Sequence, residues 1–80
     1  MITKYKFGDN EIQVWNSADT LKLYINGARV DDTLGMPALK MMGILPTGER
    51  VVVDAKAKGL TKLVITLTVN GEEIKPEPDV

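Results

Sequence analysis

Apolar and polar residues alternate at every second position through most of this chain, the pattern of strands with one buried face. It is clearest over Leu63–Ile74, LVITLTVNGEEI. Leu63, Ile65, Leu67 and Val69 fall on one face, Thr66 and Thr68 fall on the other, and Asn70-Gly71 then turns into Glu72-Glu73-Ile74. Asn-Gly suits a type I′ hairpin turn, because both central residues need φ > 0. Taken in order, the same period predicts a strand over Ile2–Phe7, with Tyr5 and Phe7 on one side and Lys4 and Lys6 on the other. A turn at Gly8-Asp9-Asn10 follows. In Glu11–Asn16, Ile12 and Val14 share one face and Gln13 and Trp15 the opposite one. After a loop at Ser17-Ala18-Asp19, Leu21–Ile25 puts Leu21, Leu23 and Ile25 in phase.

Asn26-Gly27 turns that strand back through Ala28-Arg29-Val30. A two-residue loop pairs Ile25 with Ala28 and Leu23 with Val30, and it puts Tyr24 and Arg29 together on the other face. Asp31–Met42 is ambiguous. Pro37 suits the first position of a short helix through Met42, while Leu39, Met41 and Leu45 suit one side of a strand over Leu39–Leu45, the reading favoured slightly here. Pro46-Thr47-Gly48-Glu49 is a turn. Arg50–Lys58 then alternates with Val51, Val53, Ala55 and Ala57 inward and Asp54, Lys56 and Lys58 outward, and Lys58-Gly59 turns into the Leu63 strand.

The segment from Leu21 to Val30 echoes that from Ile65 to Ile74. Apolar positions coincide at Leu21/Ile65, Leu23/Leu67, Ile25/Val69 and Val30/Ile74, and both segments carry Asn-Gly. Either a duplicated unit or two independent uses of the favoured hairpin turn accounts for this. In both cases six to eight short strands with frequent turns predict an all-β fold, a small antiparallel β-sandwich or partly open barrel. Residues 1–75 form one domain on this reading, and 76–80, polar and proline-rich, form a flexible C-terminal tail.

Composition narrows the chemistry. The 80 residues include no cysteine and no histidine. Disulfides, thiol nucleophiles, the commonest general base and the commonest metal ligand are all missing. Net charge is −1, and the basic residues are scattered rather than aligned as a phosphate-binding stripe, so no nucleic-acid partner is expected. The opening MITKYKFGDNEIQ has no long apolar run and predicts no signal peptide, and no segment approaches the roughly 18–20 apolar residues that span a bilayer. The expectation is a soluble, cytoplasmic protein without membrane partner or cofactor.

The order YINGARV, KMMGILPTGE and VVVDAKAKGLTKLVITLTVNGEEIK resembles the β-sandwich domain of the Fas apoptosis inhibitory molecule family. The shared features are Asn26-Gly27, Lys40 with Gly43, Asp54-Ala55 and Asn70-Gly71. The resemblance covers about Leu21–Lys75. This chain has one domain and lacks the aromatic residues between the hairpins. What the resemblance implies is a compact antiparallel sandwich without enzymatic activity. It does not imply a role in apoptosis.

No nucleophile has a histidine beside it, so covalent catalysis has no candidate. Asp31-Asp32 and Glu72-Glu73 are paired acids, and in a strand adjacent side chains point to opposite faces, so such pairs do not form a site by themselves. They read as solvated turn or edge charges, and Asp31-Asp32 lacks the further oxygens that calcium needs. One constellation stands out. Trp15 and Tyr24 sit opposite the apolar stripes of their strands, with Arg29 close by, and aromatics with arginine are the usual hot spots of interfaces. The alternative is that one aromatic covers a sheet edge or that this face meets a second layer. The sequence therefore predicts a non-catalytic interaction module binding an unknown protein partner through Trp15, Tyr24 and Arg29. The competing prediction is a structural subunit that forms a homodimer by pairing strands such as VITLTV and RVVVDA, if these lie at an edge.

Overall fold

A computed structural model describes residues 2–16, 20–34, 38–58 and 62–77, and within these the side chains of 32–34, 38–39, 57–58 and 62–63 lie outside the description. The strands are β1 (Ile2–Phe7), β2 (Asn10–Asn16), β3 (Thr20–Ile25), β4 (Ala28–Leu34), β5 (Ala38–Ile44), β6 (Arg50–Lys58), β7 (Lys62–Val69) and β8 (Glu72–Ile74). They form two antiparallel four-stranded meanders, β1-β2-β3-β4 and β5-β6-β7-β8. The sheets face each other as a β-sandwich and do not close into a barrel.

Alternation fixes which side chains meet. Tyr5, Ile12, Val14, Leu21, Leu23 and Ile25 of the first sheet are buried against Met41, Leu45, Val51, Val53, Ala55, Leu67 and Val69, and Phe7, Ile65 and Ile74 pack around them. Met41 and Leu45 thus share the inward side, and the segment from Ala38 is a strand, not a helix. Its seven-residue ladder with β6 outweighs the helix propensity of its alanine, leucine and methionines. The inward positions foreseen for Leu39, Ala57 and Leu63, like the turns at Ser17-Ala18-Asp19 and Gly59, lie outside the description.

Both Asn-Gly pairs have the positive φ that a type I′ turn requires: 51° and 85° at Asn26-Gly27, 50° and 84° at Asn70-Gly71. Their role extends past the hairpin. The Asn26 amide donates to the Glu11 carbonyl (2.8 Å) and the Glu11 amide donates to Asn26 Oδ1 (2.9 Å). Asn70 repeats this with Arg50, at 2.8 and 3.0 Å. Each asparagine thereby adds a rung between the third and second strands of its meander, with the side-chain oxygen standing in for a carbonyl that the left-handed turn has swung away. Glycine would supply the φ but not the acceptor. Asn26 Nδ2 also donates to Asn10 Oδ1 (3.1 Å), and Asn10 Nδ2 to Thr47 Oγ1 (3.2 Å), while the Thr47 hydroxyl donates to Glu49. Asn10, 7% exposed, is therefore satisfied by bonds that tie the first sheet to the β5–β6 turn.

One register differs from the hairpin expectation. Ile25 pairs with Ala28 and Tyr24 with Arg29, but Leu23 faces Asp31, not Val30. Val30 is the extra residue of a β-bulge. The slip places the Asp31 carboxylate where it accepts the Met42 amide of β5 at 3.0 Å. It also brings Val30 against Gly43, where a Cβ would lie 3.1 Å from Val30 Cγ2 and 3.0 Å from Ile25 Cδ1. The bulge thus fits β4 to the start of the second sheet. At the opposite seam, the Glu77 amide donates to the Lys4 carbonyl of β1 at 2.7 Å. Of the tail foreseen as flexible, residues 78–80 lie outside the description.

Two outcomes are expected. In urea unfolding, Asn70→Asp keeps the acceptor and costs under about 1 kcal/mol, whereas Asn70→Ala loses it and forces φ > 0 on alanine, costing about 2 kcal/mol. Asn26→Asp costs more than Asn70→Asp, because it also removes the donor to Asn10. The second outcome concerns Tyr5, whose phenol titrates above its ordinary 10.0 because it is buried and, secondarily, because Glu73 lies near. A folded-state value above the unfolded one favours the fold below the unfolded pKa, so this contribution is lost as pH rises through the folded value. Urea midpoints measured from pH 8 into this alkaline range should fall less steeply for Tyr5→Phe than for the parent.

Candidate interaction faces

With one face of each sheet committed to the core, the remaining chemistry lies on the two outer faces. On the first sheet, the ladders set Lys4, Gln13, Tyr24 and Arg29 side by side across β1 to β4, and Ile2, Trp15, Lys22 and Asp32 in the adjacent row. Trp15 and Tyr24 are diagonal neighbours. Their ring centroids are 4.7 Å apart with a 33° tilt, within the range where aromatic pairs attract. The indole N–H of Trp15 donates to Gln13 Oε1 at 2.8 Å, and Gln13 Nε2 donates to Glu11 Oε1 at 3.2 Å. The indole is therefore held from its edge and from its face while remaining 38% exposed.

The three residues singled out from the sequence are thus brought together. Trp15 touches Tyr24, and Tyr24 is the cross-strand partner of Arg29. Neither aromatic enters the core, whose aromatic contribution comes from Tyr5 and, at its margin, Phe7. Among the described side chains, the face holds Lys4, Lys6, Lys22 and Arg29, with Glu11 as its acid.

On the outer face of the second sheet the polar residues Asp54, Lys56, Thr66 and Thr68 lie where alternation places them, but the apolar surface among them was not legible. Met42 and Ile44 are 58% and 65% exposed, and Val64 is exposed as well. Val64 helps line a shallow cleft of about 710 Å³ that runs over Lys40, Val52, Asp54, Lys56, Thr66 and Gly71. The signal for it lay in Val51-Val52-Val53 and Leu63-Val64-Ile65, runs apolar at every position and hence apolar on both faces of a strand.

Both strands proposed for edge pairing, VITLTV in β7 and RVVVDA in β6, occupy interior places in the order β5-β6-β7-β8. β8 pairs only with Leu67, Thr68 and Val69, however, so among the described ladders residues 62–66 of β7 are paired on the β6 side alone. Among the described residues no three acidic side chains converge as a metal site, and no helix is long and apolar enough to cross a membrane.

Quenching of Trp15 fluorescence by acrylamide checks this geometry. Emission should be red-shifted from that of a buried indole and readily quenched, at the same rate over a hundredfold dilution. Protected, blue-shifted emission would place the indole inside an interface.

Compared with protein-family models, with curated proteins and with solved structures, the chain matches none.

Proposed function

We propose that this chain is a non-catalytic protein-interaction module that docks a partner protein on the outer face of β1–β4, through Trp15, Tyr24 and Arg29. The observation that carries the reading is the Trp15–Tyr24 pair, two rings packed together at 4.7 Å on a solvent-facing sheet, with Arg29 in register beside Tyr24. Large side chains already fixed by their neighbours lose little freedom on binding, which is what a hot spot needs. The lack of histidine and cysteine supports a role without catalysis, as does the resemblance in turn residues to the Fas apoptosis inhibitory molecule family. The missing cysteines also accord with a cytoplasmic setting.

The half-paired β7 favours a second reading, a homodimer formed by strand addition along residues 62–66. Light scattering across a dilution series separates the two. The module stays at 8.8 kDa, and a strand-paired dimer doubles that mass at high concentration.

Peptides selected from a displayed random library against the whole protein test the module directly. Trp15→Ala and Tyr24→Ala should each weaken the selected peptides by about tenfold or more, while Met42→Ser on the other sheet leaves them bound. Equal binding by the parent and both aromatic variants would remove this face from the function.

A further inference from the structure

The charges of this molecule are sorted by position. Among the described side chains of the outer face of β1–β4, the bases Lys4, Lys6, Lys22 and Arg29 stand against one acid, Glu11, giving +3. The chain as a whole is −1, so all its other charges sum to −4. Part of that excess lies at the turn end of the sandwich. Asp9 is in the β1–β2 turn, Glu49 precedes β6, and Glu72 follows the last Asn-Gly turn.

The spacing of the face is equally defined. Lys4, Gln13, Tyr24 and Arg29 form one row across four hydrogen-bonded strands. Lys4 and Arg29 are three interstrand spacings apart, about 14 Å, with the aromatic pair between them. An extended peptide advances about 3.4 Å per residue and points residues i, i+2 and i+4 to one side, so its i and i+4 side chains are also about 14 Å apart.

Resting on the interaction face assigned above, we infer that the partner presents an extended acidic segment of the form acid–x–apolar–x–acid. Its two carboxylates meet Lys4 and Arg29, and its central apolar side chain lies on Trp15 and Tyr24. Charge complementarity selects the acids, and the aromatic pair selects the centre. A long polyanion such as single-stranded nucleic acid fits less well. It would extend beyond the basic row toward the acidic turns, and the domain lacks the basic excess such binders carry.

The test uses the full chain and three synthetic peptides, followed by amide chemical shifts and Trp15 emission: Ser-Glu-Ser-Phe-Ser-Glu-Ser, its Gln-for-Glu counterpart, and Ser-Glu-Glu-Phe-Ser-Ser-Ser. Oligothymidylate is the fourth probe. The first peptide should shift the amides of Lys4, Gln13, Tyr24 and Arg29. It should bind about fivefold more tightly than the glutamine and displaced-acid peptides, and lose that advantage at high salt. The double variant Lys4→Glu/Arg29→Glu, checked for a native amide spectrum, should reverse the preference toward a peptide with lysine in place of glutamate. Equal binding of the glutamate and glutamine peptides at the aromatic pair would overturn the acidic motif while leaving the interaction face standing. Binding of oligothymidylate in preference to the first peptide, or no binding by any probe, would also overturn it.

Discussion

Register is the constraint on which this sandwich depends. Its strands are apolar on one side and polar on the other, and a slip of one residue exchanges the two sides completely. In each meander an asparagine in the left-handed region sets the alignment between the second and third strands. Asn26 holds Glu11 and Asn70 holds Arg50, by the same pair of bonds from backbone and side chain. With those rungs in place, Ile12 must face Ile25, and Val51 must face Val69. The core follows from that. The echo between the two halves is therefore more than a shared turn dipeptide. It includes the contact that each asparagine makes with a strand 15 or 20 residues earlier.

Most of the fold was legible because antiparallel sheets with one wet face write their period plainly into the sequence. Ile2–Phe7 and Arg50–Lys58 appear as strands with the bounds the alternation suggests. The register of β4 was not legible. The hairpin rule pairs Leu23 with Val30, and it is obeyed for two rungs before the bulge breaks it. What breaks it is distant in sequence. β4 must also meet β5, and moving Asp31 opposite Leu23 lets its carboxylate take the Met42 amide. Local turn chemistry carries no information about that partner. The ambiguity of β5 has a similar origin, since its helix-favouring residues are overruled by a ladder to β6 that only the tertiary fold supplies.

The two outer faces differ in legibility for a physical reason. Trp15 and Tyr24 stand out of phase with Val14 and Leu23, so each is marked as outward by its neighbours. Val52 and Val64 are flanked by apolar residues on both sides, so alternation lapses locally and does not mark them as outward, although Asp54, Lys56, Thr66 and Thr68 on the same strands are marked. Among the described residues no third layer covers them, and Met42 and Val64 remain exposed.

Edges and faces offer a partner different terms. A sheet edge binds through main-chain groups that any strand can match, which makes it permissive. Here β1 is met at Lys4 by the Glu77 amide, and β4 and β5 are joined through Asp31, so these edges are each engaged at one point from within the chain. The outer face of the first sheet instead offers side chains at fixed spacing. Trp15 is held by Gln13 and Tyr24 before any partner arrives. Little rotamer entropy then remains to be lost there, and the contact energy of a well-matched side chain is not spent on ordering the protein. Discrimination on such a face comes from the distance between its charges and its rings, a quantity that the backbone ladders hold constant.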